Sequence, residues 1–230
     1  LSKIAKIIFL GFEDAKAFLP AKKVMYSGNP LRQEYLVEKR NYSPHKKGEK
    51  MKILILGGSQ GARFINQLIV DSLSYLDNRK YFFYHQTGET DRLKIEKIYS
   101  ERGIDAQVIG FTKEIHKYYQ DAHLIIARAG AMTVSEIIAK LRPSILIPFP
   151  YAIYDHQTKN AKALSDIEAA LLFAEKEIDA EKLARLLNDL YDNPEKLDRM
   201  ARNLSVIEFK DAACFITEKI MEDINCINEI

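Results

Sequence analysis

Residues that could bind a phosphorylated sugar follow two apolar stretches between positions 123 and 161. Gly130 and Thr133 begin a predicted helix, whose first N–H groups and positive dipole end suit a phosphate or a diphosphate. Glu136 lies one turn further along, where its carboxylate can accept hydrogen bonds from sugar hydroxyls. Gln157 and Asn160 are two amides at the start of a second helix, and amides both donate to and accept from hydroxyls. Together, these groups suit a nucleotide sugar better than a bare phosphate.

Each of these residues also has a purely structural interpretation. Glu136 and Thr133 match the spelling of a capping box, in which both side chains would only close the start of the helix. Gly130 is consistent with a tight turn, and Asn160 with the solvated face of a helix. The combination, rather than any single residue, therefore carries the hypothesis of a binding site.

Two apolar stretches predict the strands that position these residues. Residues 123–127 and residues 144–149 are typical of buried strands, and prolines bracket the second. Each is followed by a predicted helix, and Asp155 stands where it would cap the second helix. Parallel strands that lead into helices bring the helix starts to the carboxyl edge of one sheet, where ligands bind. The predicted fold class is therefore α/β, with a Rossmann-like parallel sheet flanked by helices.

A further succession of strand, glycine loop and helix begins at Met51. Residues 51–56 predict a buried strand, and residues 57–62 (G-G-S-Q-G-A) predict a glycine-rich loop. The loop does not spell the dinucleotide pattern G-x-G-x-x-G. No acidic residue ends the next strand, residues 81–85, to hold a ribose. Nicotinamide binding is therefore not expected.

The remaining elements continue the alternation of strands and helices. Predicted strands cover residues 4–10, 24–26, 81–86, 106–109 and 169–173. Predicted helices cover residues 12–19, 91–102, 179–191, 194–204 and 209–230, with one more around Ile115, Tyr118 and Tyr119. His85, His116 and His123 share no spacing, so a packed or surface position is expected for each.

Composition excludes several classes of protein. The chain has 230 residues, of which 47% are hydrophobic and 29% charged, as in ordinary globular proteins. The net charge of +2 gives no reason to expect nucleic acid as a partner. Cys214 and Cys226 do not have a metal-binding spacing, and a reducing cytoplasm is expected. No apolar run approaches the roughly 20 residues that span a bilayer, and the first residues do not resemble a signal peptide.

Four motifs occur in a fixed order: S-G-N-P-L-R, G-G-S-Q-G-A, R-A-G-A-M-T-V-S-E and P-F-P-Y-A-I-Y-D-H-Q-T-K-N-A. They closely resemble the MurG family, the UDP-N-acetylglucosamine:undecaprenyl-pyrophosphoryl-muramoyl-pentapeptide N-acetylglucosaminyltransferases of bacterial cell-wall synthesis. The resemblance implies a GT-B glycosyltransferase that transfers N-acetylglucosamine from UDP-N-acetylglucosamine to lipid I, with inversion, to make lipid II. It also implies a cytoplasmic protein in peripheral contact with the inner face of the plasma membrane. No cofactor is expected, and the absence of a D-x-D motif fits a reaction without an essential metal.

The resemblance also implies roles for individual residues around the donor substrate. Ala131, Met132 and Thr133 would bind the diphosphate through their backbone, Glu136 the ribose, and Gln157 and Asn160 the hydroxyls of the N-acetylglucosamine. Arg32 resembles a hinge arginine near the donor. Ser59, with Gln60 beside it, would contact the phosphates, and Thr112 would line the uracil pocket, largely through its backbone.

The resemblance covers nearly the whole chain, but the chain does not cover the whole family. It implies that residues 1–31 end an N-terminal acceptor domain and that residues 32–50 form a hinge and linker. Residues 51–205 would be the donor domain, and residues 206–230 a helix that crosses back towards the N-terminal domain. The general base and the surface for lipid I would belong to the missing part. No catalytic residue is therefore assigned, and the isolated chain is expected to be inactive.

Two alternatives remain open at this point. The chain could be a UDP-sugar-binding module without activity of its own. It could also be another UDP-sugar enzyme of the same architecture, such as a lipid glucosyltransferase or a UDP-N-acetylglucosamine epimerase. The spellings S-G-N-P-L-R and D-H-Q-T-K-N-A argue against this second alternative.

Overall fold

A computed structural model describes residues 4–12, 16, 19, 21–37, 41–57, 62–152 and 155–228. The chain forms two compact units. The larger unit is Arg40–Ile207, and the smaller unit combines Leu1–Lys39 with Glu208–Ile230. Within the described residues, no helix combines the length and the apolar character that crossing a bilayer requires.

The larger unit is built on a parallel sheet of six strands in the order β5-β4-β3-β6-β7-β8. The strands are β3 (Met51–Leu56), β4 (Tyr81–Gln86), β5 (Ala106–Ile109), β6 (Leu124–Ala127), β7 (Ser144–Leu146) and β8 (Ala170–Leu172). All four residues of β6 and all three of β7 are buried, because helices cover both faces of the sheet. This confirms the predicted α/β fold class.

Among the described residues of the larger unit, seven α-helices accompany these strands. They are α1 (Arg63–Ser72), α2 (Glu89–Glu101), α3 (Ile115–Asp121), α4 (Ala131–Lys140), α5 (His156–Ser165), α6 (Ala180–Asp192) and α7 (Pro194–Ser205). Asp179 caps α6 by accepting a hydrogen bond from Lys182 N at 2.8 Å, and Pro194 opens α7, where its missing N–H costs nothing. Ile65, Leu68 and Ile69 of α1 pack into the core and form its apolar face.

Strand ends differ from the sequence predictions in one informative place. Strand β7 ends at Leu146, not at Phe149. Pro148 and Pro150 have no N–H to donate, so the backbone cannot continue the ladder beyond that point. The chain therefore leaves the sheet after Leu146, close to the residues that were predicted to bind a ligand.

The smaller unit contains a pair of short parallel strands, β1 (Ile8–Leu10) and β2 (Val24–Tyr26), and the last helix, α8 (Ala212–Asn228). The rings of Phe9 and Phe215 meet edge to face at 6.5 Å. The predicted helix over residues 12–19 lies mostly outside the described residues. Ile220, Met221 and Ile224 of α8 are about half exposed, at 45–52%.

Candidate functional site

The carboxyl ends of the strands lie level with one another at one edge of the larger sheet. Leu56 of β3 is in register with both Gln86 of β4 and Ala127 of β6, and Ala127 is in register with Leu146 of β7. The chain runs outward from β3 to β5 on one side and from β6 to β8 on the other. Open α/β sheets bind their ligands in the crevice at such a reversal.

A cavity that is partly open to solvent lies at this reversal. Its wall combines the strand ends with parts of α3 and α4, namely Leu56, Gly57, Gln86, Ile115, Tyr119, Ala127, Arg128, Thr133 and Glu136. Two of the residues predicted to bind a ligand, Thr133 and Glu136, therefore share one cavity. Ser59 and Gln60, the predicted phosphate contacts of the glycine loop, lie outside the described residues.

Helix α4 begins beside this cavity without a side-chain cap. Gly130 is the N-cap residue, and its backbone is extended (φ −63°, ψ 149°). Val134 N donates to Gly130 O at 3.0 Å, which closes the first turn. The N–H groups of Ala131, Met132 and Thr133 precede this bond, so the helix itself gives them no acceptor. The start of α4 thus has the donors and the dipole direction that favour an anion.

Glu136 is half buried in the cavity wall, and its Oε2 accepts a hydrogen bond of 2.8 Å from the hydroxyl of Tyr119. The capping box considered from the sequence is not formed. Gly130, which has no side chain, is the N-cap, and Thr133 is already the third residue of the helix. Glu136 is too far along α4 to reach back to the N-cap, so this structural interpretation of Glu136 is wrong.

Arg128 joins three segments around the cavity, a role that the sequence did not reveal. One guanidinium nitrogen donates to Ile147 O at 3.0 Å and to Pro148 O at 3.1 Å. The other pairs with the Glu175 carboxylate, and the guanidinium lies 5.4 Å from the centre of the Phe149 ring. Arg128 therefore fixes the segment after β7 against the end of β6. In the sequence, the signal for this role was the position of Arg128 directly before the motif A-G-A.

Gln157 and Asn160 bind backbone groups in the segments that follow β7 and β6. Gln157 Oε1 accepts from Phe149 N at 3.0 Å, and Asn160 Nδ2 donates to Ala129 O at 3.1 Å. Asn160 therefore connects α5 to the loop before α4 and is not merely a residue on a solvated face.

Asp155 is the N-cap residue of α5, as predicted, but it has left-handed backbone (φ 54°) and its side chain makes no capping bond. N-cap residues that do cap have extended backbone.

Thr112 and Arg32, predicted only from the resemblance, lie in different units. Thr112 precedes α3, and its Oγ1 accepts from Glu114 N at 3.0 Å, close in sequence to Ile115 of the cavity wall. Arg32 belongs to the smaller unit, where its guanidinium lies 5.5 Å from the centre of the Tyr35 ring. Each has a local contact that holds its segment in place.

Two histidines of the larger unit are structural, as the sequence predicted. His85 is fully buried between the hydroxyl of Tyr99 and Oδ1 of Asn66, each 3.1 Å away, and burial lowers its pKa to about 3. His123 Nδ1 accepts from Lys52 N at 2.9 Å, and burial lowers its pKa to about 4. Both rings are therefore neutral at pH 7. Among the described residues, no His, Cys, Asp or Glu side chains are grouped so as to hold a metal ion.

Comparison with known proteins gives one family match and several relatives. The family described as "Glycosyltransferase family 28 C-terminal domain" matches residues 52–214. A relative in Myxococcus xanthus (strain DK1622) is a UDP-N-acetylglucosamine--N-acetylmuramyl-(pentapeptide) pyrophosphoryl-undecaprenol N-acetylglucosamine transferase. It is 40% identical over 216 residues, which cover 93% of this chain and 56% of the relative.

Solved structures agree with this match. The crystal structure of Acinetobacter baumannii MurG superposes with a TM-score of 0.78 and 29% identity, over 96% of this chain and 62% of that one. A putative UDP-N-acetylglucosamine 2-epimerase from Listeria monocytogenes has a TM-score of 0.67 at 15% identity, over 97% of this chain and 61% of that one, and so shares only the fold. The chain thus spans less than two thirds of the length of these relatives.

Proposed function

The chain belongs to the glycosyltransferase family 28 C-terminal domain family, and we propose that it is the donor-binding part of an inverting N-acetylglucosaminyltransferase. The donor is UDP-N-acetylglucosamine and the acceptor is lipid I, so the product is lipid II. The names of the relatives support this assignment. The observation that carries it is that Glu136 and the start of α4 share one cavity at the reversal of the sheet. This reaction takes place at the inner face of the membrane.

The uridine diphosphate occupies the side of the cavity formed by α4. The N–H groups at Ala131, Met132 and Thr133 bind the diphosphate, and the carboxylate of Glu136 accepts from the ribose hydroxyls. Thr112 precedes the helix that supplies Ile115 and Tyr119 to the same cavity, which suits contact with the uracil. The contacts of Arg32 and Ser59 with the donor are proposed from the family resemblance alone.

The sugar lies towards α5, and the hydrogen bond of Gln157 indicates how it is recognised. A backbone N–H can only donate, so the Gln157 atom that faces Phe149 N must be oxygen. The amide NH₂ then points away from Phe149 and is the group that meets the sugar. Gln157 therefore acts as a donor to a hydroxyl or acetamido oxygen of N-acetylglucosamine, while Asn160 holds α5 against Ala129.

The transfer step needs a base for the acceptor hydroxyl and stabilisation of the departing UDP. The N–H groups of α4 stabilise the UDP, since they face the charge that develops on the diphosphate as the glycosidic bond breaks. The base comes from the part of the enzyme that approaches with the acceptor. This chain alone is therefore expected to bind donor but to transfer no sugar to lipid I above background. Transfer by the chain alone would contradict this and make His156, at the start of α5, the leading candidate for the base.

Calorimetry with three variants tests the donor assignment. Gln157→Ala should weaken UDP-N-acetylglucosamine by about 1–2 kcal/mol and leave UDP nearly unchanged, because only the sugar loses a donor. Gln157→Glu keeps an oxygen for Phe149 N but replaces the NH₂, so it should also weaken the sugar nucleotide more than UDP. Gln67→Ala removes an exposed amide from α1 and is the control. If Gln157→Ala weakened both ligands equally, the sugar assignment would be wrong.

A further inference from the structure

Tyr119 is a buried residue whose hydroxyl reaches the site carboxylate from a different helix. Its side chain is fully buried on α3, and the hydroxyl lies 2.8 Å from Oε2 of Glu136 on α4. An ionised carboxylate can only accept, so the tyrosine donates. Both residues line the cavity, so this hydrogen bond forms part of its wall.

The end of α3 that carries Tyr119 is itself fixed by a buried arginine. Arg142 Nε donates to Tyr119 O at 2.6 Å, and one terminal nitrogen donates to Gln120 O at 2.8 Å. The other terminal nitrogen donates to Asn41 O at 3.0 Å. A guanidinium at a helix C-terminus satisfies carbonyls that have no helical donor and complements the helix dipole. Tyr119 is therefore held through its backbone as well as through its packed ring.

We propose that Tyr119 is a positioning residue of the nucleotide site, where its hydroxyl holds the Glu136 carboxylate in the orientation that receives the ribose hydroxyls. This inference rests on the proposed function. A glutamate side chain loses considerable rotamer freedom when it is ordered. The bond from Tyr119 imposes that order during folding, before nucleotide binds, and such preorganisation increases affinity. The carboxylate can accept several hydrogen bonds, so the bond from Tyr119 is compatible with bonds from a diol.

A double-mutant cycle tests this role on the full 230-residue chain. Tyr119→Phe keeps the buried ring and removes only the hydroxyl, so the midpoint of thermal unfolding should change little. UDP affinity should fall about threefold to tenfold, the usual range for one lost hydrogen bond. Affinity for the 2′,3′-dideoxy analogue of UDP should not change, because that analogue lacks the hydroxyls that Glu136 receives. In a Glu136→Ala background, Tyr119→Phe should have no further effect on UDP binding.

Tyr118→Phe is the matched control, since Tyr118 is the neighbouring tyrosine and its hydroxyl accepts from Gln107 Nε2 instead. It should leave the affinity for both nucleotides unchanged. Unchanged UDP affinity in Tyr119→Phe, or a loss that persists in the Glu136→Ala background, would overturn the role of Tyr119 while the ribose assignment stands. Equal binding of UDP and its dideoxy analogue by the unaltered chain would overturn the ribose assignment itself, and the role of Tyr119 with it.

Discussion

Two corners of the larger sheet share the succession of strand, glycine and helix, but they use their glycines differently. At the corner between β3 and α1, a Cβ on Gly57 would lie only 2.6 Å from the backbone oxygen of Gln86. At the corner between β6 and α4, a Cβ on Gly130 would meet nothing nearer than Thr133 Oγ1, at 3.8 Å. The fold therefore requires Gly57, whereas it would accept a side chain at Gly130.

The polar groups near the two corners also have different roles. Asn66 of the first corner donates to Thr87 O and Asp91 Oδ2, and its Oδ1 lies 3.1 Å from Nε2 of His85. These bonds join α1 to β4 and α2. At the second corner, Glu136 and Thr133, which is in the first turn of α4, line a cavity. The same local pattern thus serves the fold in one place and the proposed ligand site in the other.

The largest expected effect is a loss of folding stability in acid, which His85 at the first corner causes. Asn66 Oδ1 can only accept, so Nε2 of His85 carries the proton and Nδ1 accepts from Tyr99. Burial lowers the pKa of His85 from 6.5 to about 3, so the folded state binds fewer protons than the unfolded state between these values. Stability is complete above pH 6.5 and should fall by about 1.4 kcal/mol per pH unit towards pH 3 because of this residue.

Two measurements check this effect. Urea unfolding at pH 7 and pH 5 gives the loss of free energy, to which His123 contributes because burial lowers its pKa to about 4. NMR titration of the ring protons separates the two histidines. His85 should stay neutral in the folded state at pH 4.5, and titration near pH 6.5 would contradict its role in the buried network.

The next largest effect concerns Gly57. Gly57→Ala should lower the free energy of unfolding by about 1–3 kcal/mol, since either the loop or β4 must move to admit the Cβ. Denaturant unfolding measures this change. Gly130→Ala is the matched control and should not destabilise the protein. Equal destabilisation by the two substitutions would remove the contrast between the corners.

The sequence predicted the sheet and its carboxyl edge because apolar runs and their helices are local patterns. The family resemblance is confirmed by the match over residues 52–214. The predictions that failed depend on three-dimensional geometry, which the spacing of residues along the sequence does not show. The capping-box spelling of Thr133 and Glu136 cannot say which residue is the N-cap. The contacts of Arg128 with Ile147 and of Tyr119 with Glu136 join residues 17–19 positions apart in sequence, so they appear only in the folded chain.

Glu136→Ala tests whether the second corner, between β6 and α4, binds the ribose. It should weaken UDP and UDP-N-acetylglucosamine alike by about 1–3 kcal/mol, because the ribose hydroxyls lose their acceptor. Stability should fall as well, because the hydroxyl of the buried Tyr119 loses its acceptor. Calorimetry with both ligands measures the loss, and Glu101→Ala, on an exposed part of α2, is the control. Unchanged UDP affinity would mean that this cavity does not hold the ribose.

The smallest expected effect is that of Gly130→Ala. This substitution also best distinguishes the role of Gly130 from the role of Gly57. The backbone of Gly130 is extended, with a negative φ that any residue adopts, and the space around its missing Cβ is open. Gly130→Ala should therefore raise the free energy of unfolding slightly, by about 0.4–1 kcal/mol, because alanine restricts the unfolded chain. The new methyl group would stand at the start of α4, beside Thr133 in the cavity wall. UDP affinity should accordingly fall a few-fold while stability rises. If calorimetry showed unchanged UDP affinity in a normally folded Gly130→Ala variant, the diphosphate would not lie against the first turn of α4.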